Sequence, residues 1–457
     1  MKRNIIEKTI EAPAKALEYG LEGGQKLAKN IPLSGHKPLK KAKDYWYLLG
    51  PGLTTGASDD DPSGIATYSQ TGAQYGFGLL WLAALTFPLM AIIQEMCARI
   101  GLVTGRGLAG NIRAHFGRKV LYISTLFLFA ANTFNIGADI GAMANAVQLI
   151  IPRFSFTLLV IGFMLLILLL QIFTPYVRYA KYLKWLALIL FAYILSAFLA
   201  HPDWQTIIKH SVIPHITFSK DQILLICAIL GTTITPYLFF WQTSQEVEEE
   251  IAVGQTTIKS RTGSGTAEIK KMRIDVWSGM FFSNVVMFFI IAACASVLFA
   301  HGITNINTAA QAAQALRPFA GNATFWLFAA GIIGMGLLAI PVLAGASAYA
   351  ISESIGKHQG LNSKLKQASA FYGVIIISMF IGLALNFLGL NPIKALIYSA
   401  VLNGIVAPVI LVLILLLARN KHVMGEWKNG KAAAGFGWLL ASIMAVSGIA
   451  AIYSLFA

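Results

Sequence analysis

The sequence predicts an all-α polytopic membrane protein, built from two inverted repeats of five spans and an eleventh span. Three observations predict it. The chain is 56% hydrophobic and 12% charged, with a mean hydropathy of +0.67, far from the range of soluble domains. Apolar runs long enough to cross a hydrocarbon core recur along it. Two of these runs, five spans apart, are interrupted alike, with Gly and Thr ahead of a proline: GLTTGASDDDPSG around Pro62 and GTTITPYLF around Pro236. Five is odd, so the second copy enters the membrane from the opposite side. Matching interruptions in two inverted halves point to a transporter binding site.

Residues 1–45 read as a basic cytoplasmic tail, with room for an amphipathic interfacial helix between Ile6 and Leu27. The tail lacks the apolar core and cleavage site of a signal peptide. The first repeat, 46–200, holds spans at 47–76, 78–103, 120–150, 155–173 and 182–200. The second, 221–418, holds spans at 222–246, 275–300, 322–351, 368–388 and 393–418, and the extra span lies at 434–456. Between spans 6 and 7, the stretch from EVEEE (Glu246–Glu250) to Arg273 is rich in Gly, Ser and Thr and reads as a flexible connection. The acids Glu246, Glu248, Glu249 and Glu250 at its start read as a solvated helix end, with an acidic release funnel for cations as the alternative, and Glu95, four residues before Arg99 on span 2, reads as its ion-pair partner. The connection holds no GxxxxGK[ST] phosphate loop, so ATP-driven transport would need a partner chain. No obligate protein partner is evident.

The net charge of +15 raises the question of nucleic acid. Its distribution argues against that. Almost all Lys and Arg fall in the N-terminal tail and in alternate loops, whereas the intervening loops hold only Arg153, Lys209, Lys220, Arg317 and Lys394. This asymmetry predicts a cytoplasmic N-terminus and an extracytoplasmic C-terminus, with the excess charge serving orientation and attraction to anionic lipid. The three cysteines, Cys97, Cys227 and Cys294, lie in apolar stretches and suggest no disulfide framework.

The first span carries the sharpest signal. Within SDDDPSGI, three aspartates stand where a charge costs several kcal/mol. Proline removes an N–H and clashes with the carbonyl four residues back. A helix broken there frees carbonyls, which is tolerated at membrane depth only where they line a cavity or are buried in protein. Carbonyls beside carboxylates make an oxygen-rich cage of the kind that hard divalent cations prefer. Asp61 is the expected metal ligand; its bland alternative is the cap of a broken helix. Successive helical residues point about 100° apart, so Asp59 and Asp60 cannot both share that ion and are expected in its water shell or along its path.

The motif PGLTTGASDDDPSGIATYSQTGAQYGFGLLW resembles the first span of the natural resistance-associated macrophage protein divalent-metal transporters. QEMCARIGLVTGRGLAG after span 2 and DVWSG with SNVVM in span 7 resemble the same family, and the likeness covers about residues 45–418. It implies a LeuT-like fold with spans 1 and 6 unwound around the ion. It also implies a mid-membrane site made by Ser58, Asp61, Gly64, Gly231, Thr232 and Thr235, with Asp59, Asp60, Asp139 and Tyr237 lining it or the path. Ser58, Gly231 and Thr232 would offer carbonyls. Thr232 and Thr235 could instead back-bond within their helix, and Tyr237 could simply fill space. Asp139, among small residues in NTFNIGADIGAMAN, could be a packing partner or a cation-site residue.

Departures from the family pattern shape the expected substrate. Transition-metal members carry DPGN in span 1, where this chain has Asp61-Pro62-Ser63-Gly64. They carry Met-Pro-His in span 6, where it has Thr235-Pro236-Tyr237. Loss of the soft thioether and of imidazole makes a harder, roomier site, suited to Mg²⁺, which keeps several waters. This pattern resembles the family's magnesium-transporting branch. Proton-coupled members carry acids after span 2 where this chain has Gly107 and Gly110. The expectation is therefore uptake of Mg²⁺, and of Mn²⁺, without proton coupling and without a cofactor, the metal being the substrate. The membrane potential would supply about 4.6 kcal/mol per 100 mV for a divalent ion.

Three alternatives stand beside this. One is proton-coupled Mn²⁺ or Fe²⁺ symport. Another is amino-acid transport, which the triple aspartate opposes by repelling substrate carboxylates. The last is a Mg-dependent membrane prenyltransferase, which would need a second aspartate motif and intramembrane basic residues. A transporter rather than an enzyme is expected, placed in a bacterial inner membrane.

Overall fold

Proline placement opens the fold. Pro51 occupies the first turn of helix α1 (Pro51–Asp59) and Pro62 that of α2 (Pro62–Tyr75), where a missing N–H costs nothing and φ is already helical. The first span is therefore two half-helices. The computed structural model describes residues 45–200, 203–217, 219–306, 309–389 and 392–456, so the expected helix between Ile6 and Leu27 lies outside the described residues. Residues Leu49–Ala457 form one compact unit.

The other elements of this unit follow in order. Spans 2 to 5 are α3 (Trp81–Thr104), α5 (Arg118–Ile150), α6 (Phe156–Phe173) and α7 (Tyr176–Leu186), with a short α4 (Leu108–His115) between the first two. Helix α7 continues through a 3₁₀ turn into α8 (Phe191–Leu199), and α9 (Trp204–Val212) follows. Span 6 is again two halves, α10 (Lys220–Thr233) and α11 (Pro236–Ala252). After the short α12 (Ile258–Arg261) come α13 (Thr266–Val297), α14 (Ala309–Ile355, kinked at Gly321), α15 (Ser369–Leu385) and α16 (Pro392–Arg419). A single turn, α17 (Lys421–Met424), precedes the last span, α18 (Lys431–Phe456).

Among the described residues nine helical segments are long and apolar enough to cross a membrane. Helix α15, with 17 residues, is slightly shorter, and the first span is missed by such a count because it is broken. All eleven predicted segments thus have a helical counterpart. The packing carries the inverted repeat: span 1 lies on span 7 as span 6 lies on span 2, and span 3 meets span 10 as span 8 meets span 5. Burial sorts centre from periphery. The most apolar stretch of span 6 is 83% buried, that of α6 28%. The outer helices expose apolar side chains such as Leu158, Leu169 and Phe173.

Glycines let the central helices touch backbone to backbone. A Cβ on Gly56 would lie 2.2 Å from the Gly279 carbonyl oxygen, and one on Gly279 would lie 2.0 Å from that of Gly52. Spans 1 and 7 therefore cross without side chains between them. The glycines of GIIGMGLLAIPVLAGASAYA do something different. Gly331, Gly336 and Gly345 leave room for the side chains of Tyr193, Met143 and Trp241.

Asp275 of α13 fixes the start of α1. Its carboxylate accepts from the amides of Gly50 (2.7 Å), Gly52 (2.7 Å) and Leu53 (3.1 Å), while Lys184 Nζ donates to the Leu49 carbonyl (2.5 Å). These amides have no partner within the helix. Asp275→Asn keeps the volume but gives up the charge and one acceptor, so a loss of about 1–3 kcal/mol is expected. A lower unfolding temperature in detergent would register it; an unchanged one would count against this clamp.

Two readings of the polar connection are corrected. The Glu246–Glu250 cluster is no solvated helix end, because Glu246, Glu248 and Glu250 are buried. Glu248 accepts from Tyr349 Oη (2.8 Å) and from the Leu361 and Asn362 amides (3.0 and 3.1 Å), pinning the loop after α14 to α11. The connection is also anchored. Arg261 is buried, donating from Nε to the Gly105 carbonyl (3.2 Å) and from a terminal nitrogen to that of Gln255 (2.8 Å). Elsewhere Glu95 does pair with Arg99, four residues on, at 3.7 Å, but its shorter partner is Arg273 at 2.9 Å.

Candidate metal centre

The two breaks share one design. Helix α1 ends at Asp59, Asp60 leaves the helix (φ −86°, ψ 46°), Asp61 is extended (φ −63°, ψ 169°), and Pro62 starts α2. In span 6, Ile234 leaves the helix (φ −114°, ψ 60°), Thr235 is extended (φ −91°, ψ 135°), and Pro236 starts α11. Each break ends one ladder of hydrogen bonds and begins another, so the last carbonyls of α1 and α10 lose their regular partners.

Asp61 is both a cap and a charge. Its Oδ1 accepts from the Gly64 amide (2.7 Å), and its Oδ2 accepts from Asn135 Nδ2 on α5 (2.7 Å). Ser399 of α16 donates to Asn135 Oδ1 (2.7 Å), so three spans hold one carboxylate. All of these groups are buried. Gly64 marks where the two breaks meet. A Cβ there would lie 3.1 Å from the Asp59 carbonyl oxygen and 3.3 Å from Thr232 Oγ1. The absence of a side chain at 64 leaves a narrow space walled by a carbonyl, a hydroxyl and the edge of the Tyr68 ring (3.4 Å). Tyr237 does more than fill space, since its hydroxyl donates to the Ser58 carbonyl (2.8 Å) and ties α11 to the end of α1. Thr235 Oγ1 is buried with no partner among the described residues, whereas the neighbouring Thr233 back-bonds to Ile229 (2.7 Å).

The remaining candidates divide. Asp139 stands near enough to Asp61 for their charges to act on each other, and both its oxygens are buried without a side-chain partner. Gly231 has a packing role: a Cβ on it would lie 2.0 Å from the Ala400 carbonyl oxygen and 2.5 Å from the Gly404 amide. Asp59 turns away from Asp61's partners, accepting from Ser283 Oγ on α13 (2.9 Å). Among the described residues no group of three or more His, Cys, Asp and Glu could hold a metal ion. A cation here would be met by one carboxylate, hydroxyls and carbonyls.

Sequence reasoning missed Asn135 and Ser399. Asn135 had a signal, an amide one helical turn before Asp139 and so on the same face of an apolar span; Ser399 had none. If Asn135 works by aiming Asp61, Asn135→Ala should weaken apparent divalent-cation affinity several-fold while leaving maximal flux within about twofold, an energetic loss near 1 kcal/mol. An unchanged concentration dependence would remove Asn135 from the centre.

The glycines after span 2 bring a further surprise. Glu353, at the end of α14, accepts from the Gly110 amide (2.8 Å), and a Cβ on Gly107 would lie 2.1 Å from its Oε1. A carboxylate absent from that stretch of sequence is thus present there in space. It borders a cavity of about 690 Å³ whose walls include Arg106, Arg113, Arg261 and Lys357. Those walls carry more cationic than acidic groups, which makes the cavity a poor cation site.

The family profile described as natural resistance-associated macrophage protein-like matches residues 52–454, nearly the whole unit. The chain belongs to this family. The "Divalent metal cation transporter MntH" of Chromohalobacter salexigens is 25% identical to this family member over 418 residues, covering 90% of this chain and 91% of that one. The protein of the same name from Klebsiella pneumoniae subsp. pneumoniae is 26% identical over 415 residues, covering 87% and 91%. These relatives are named as transporters, not enzymes. Among solved structures, the Eremococcus coleocola manganese transporter bound to an aromatic bis-isothiourea compound superposes with a TM-score of 0.66 at 20% identity, covering 91% of this chain and 87% of that one. Mhp1, a nucleobase-cation-symport-1 family transporter in a closed conformation, superposes with a TM-score of 0.54 at 14% identity, covering 89% and 91%. At such identities these two speak for the LeuT-like fold of this family member and not for its substrate.

Proposed function

We propose that the chain is a secondary transporter or facilitator that imports divalent metal cations, with Mg²⁺ the main substrate and Mn²⁺ also carried, and without proton coupling. The naming of its relatives as divalent metal cation transporters supports the cation class. The observation that carries the reading is the space at Gly64, where the Asp59 carbonyl and Thr232 Oγ1 converge beside Asp61. Two of its three nearest walls are oxygens, and the third is the edge of the Tyr68 ring at 3.4 Å. Mg²⁺ is held through one or two carboxylates with several waters kept, and the oxygens that converge beside Asp61 are the hard acceptors such a water shell would meet.

Asp61 then supplies the charge, and Thr232, Thr235 and the carbonyls of Ser58, Asp59 and Gly231 receive the water shell or the ion itself. Asp60 and Asp139 add negative potential along the path. The two half-helices of each broken span can tilt separately, which would open the centre to one side at a time. The Lys and Arg distribution orients the N-terminus to the cytoplasm of a bacterial inner membrane. Lipid is the remaining surrounding partner.

A second reading, proton-coupled uptake of Mn²⁺ or Fe²⁺, has one observation in its favour: the Glu353 carboxylate beside Gly107 and Gly110. Flux into liposomes decides between them. With Mg²⁺ outside, an inside-negative potential and a trapped pH dye, Mg²⁺ should enter while internal pH stays constant, and excess Mn²⁺ should compete. Acidification in step with the metal would establish the second reading. Mn²⁺ entry with no Mg²⁺ entry would end the proposed preference.

A further inference from the structure

We infer that the cavity beside Glu353 binds an organic phosphate among Arg106, Arg113, Arg261 and Lys357, drawn either from solution as a nucleotide or from the membrane as an anionic lipid headgroup.

The cavity is built from segments far apart in sequence. The turn after α3 brings Arg106, α4 brings Arg113, α12 brings Arg261, and the loop after α14 brings Lys357, with α11 behind them. These segments stand on the side that the Lys and Arg distribution assigns to the cytoplasm. A volume of about 690 Å³ is more than a lone phosphate needs and lies within the range of about 300–1,000 Å³ for small-molecule sites. No residue of the Asp61 centre lines it.

Charge sets the sign of the ligand. The four cations share the walls with two carboxylates, Glu248 and Glu353. Neutral donors already occupy both acids. Glu353 accepts from the Gly110 amide (2.8 Å) and Gln359 Nε2 (3.1 Å), and Glu248 from Tyr349 Oη and the Leu361 and Asn362 amides. Among the described residues neither acid forms an ion pair. The cations are therefore not consumed by the walls. Arg106 and Lys357 are exposed at the mouth, and among the described residues their side chains make no hydrogen bond or ion pair. Arg113 spends one terminal nitrogen on the Glu353 carbonyl (3.3 Å). Arg261, buried, spends Nε and one terminal nitrogen on carbonyls and keeps the other. Guanidinium forks match carboxylate and phosphate oxygens, and phosphate has enough oxygens to meet several forks at once.

A second, independent observation lies deeper in the cavity. Ser244 of α11 lines it, is buried, and has a hydroxyl with no hydrogen-bond partner. Buried hydroxyls nearly always have a partner, so an orphan in a cavity wall calls for one from the cavity. A hydroxyl can donate to a phosphate oxygen. Buried Arg261 and Ser244 with exposed Arg106 and Lys357 thus give donors both in the interior and at the mouth, which a merely solvated basic surface would not.

The test uses the full-length chain in phosphatidylcholine nanodiscs, which expose both faces, at about 0.15 M salt to screen surface attraction. One arm measures binding of radiolabelled ATP by equilibrium dialysis. The other adds phosphatidylglycerol to the discs and counts what the chain retains by native mass spectrometry. Wild type should hold one phosphate ligand per chain in at least one arm, and that arm identifies the source. Arg106→Gln combined with Lys357→Gln should weaken it at least about tenfold, as loss of charged hydrogen bonds predicts. Lys421→Gln combined with Lys428→Gln removes two exposed charges outside the cavity and should stay within about twofold of wild type. Ser244→Ala should weaken binding several-fold, and it carries the test if the first double variant gives no symmetric size-exclusion peak. Absence of saturable binding in both arms overturns the inference. So does equal weakening by the two double variants, the mark of diffuse attraction to a basic face. So does binding unchanged by Arg106→Gln with Lys357→Gln or, where that chain does not fold, by Ser244→Ala. None of these results touches the transport proposal, because the cavity and the Asp61 centre share no residue.

Discussion

Asp61→Ala is expected to bring Mg²⁺ influx in liposomes below about a tenth of wild type, a loss of at least about 1.4 kcal/mol in the step that binds the ion. Two causes combine. The substitution removes the charge of the carboxylate that caps α2 beside Gly64, where the two breaks meet. It also removes the cap on α2, in which Oδ1 accepts from the Gly64 amide, worth about 1 kcal/mol. Asp61→Asn separates the causes, since its amide oxygen can still accept from Gly64 while the charge is gone. Equal loss in both variants would show that charge dominates. Influx preserved in Asp61→Asn would mean that the residue serves as a cap only, and the centre would have to be sought elsewhere.

The second large effect is structural. Gly56→Leu should prevent accumulation of folded protein, judged by a symmetric size-exclusion peak in detergent. Its Cβ alone would sit 2.2 Å from the Gly279 carbonyl oxygen and 2.3 Å from its carbonyl carbon. Both are backbone atoms of a packed helix, so relief requires spans 1 and 7 to separate, and overpacking of this kind costs upward of about 1–3 kcal/mol. Gly162 of α6 is the control. It too is a mid-span glycine, but nothing lies within 4 Å of its Cβ position. Gly162→Leu should leave the peak unchanged. Similar behaviour of the two variants would contradict the helix crossing described above.

How much was legible beforehand depends on the range of the cause. The two breaks were readable because proline acts on its own neighbours, and Pro62 and Pro236 stand at the first positions of α2 and α11. Asp61 was readable because an extended residue before such a proline is a cap, and a buried acid needs a reason. The Glu246–Glu250 cluster misled because acids at a span end are most often wet. The ring of partners around Glu248 comes from Tyr349, Leu361 and Asn362, more than 100 residues away. The stretch after span 2 lacks acids of its own, and no local reading could show that Glu353, 243 residues from Gly110, brings a carboxylate beside it. Tyr237 looked like filler because its acceptor, the Ser58 carbonyl, lies 179 residues back.

By itself the sequence determined the membrane class, the eleven apolar segments, the two interruptions and the presence of an oxygen-rich stretch between them. Each follows from composition or from residues within one helical turn. Only the tertiary structure decided which glycines admit a backbone and which a side chain, that Asn135 and Ser399 hold Asp61, and that Asp59 turns to α13 instead. Those choices depend on which helices lie side by side. Helix pairing in lipid is set by close packing and by polar groups finding partners across spans, and neither is written in the order of residues along one helix.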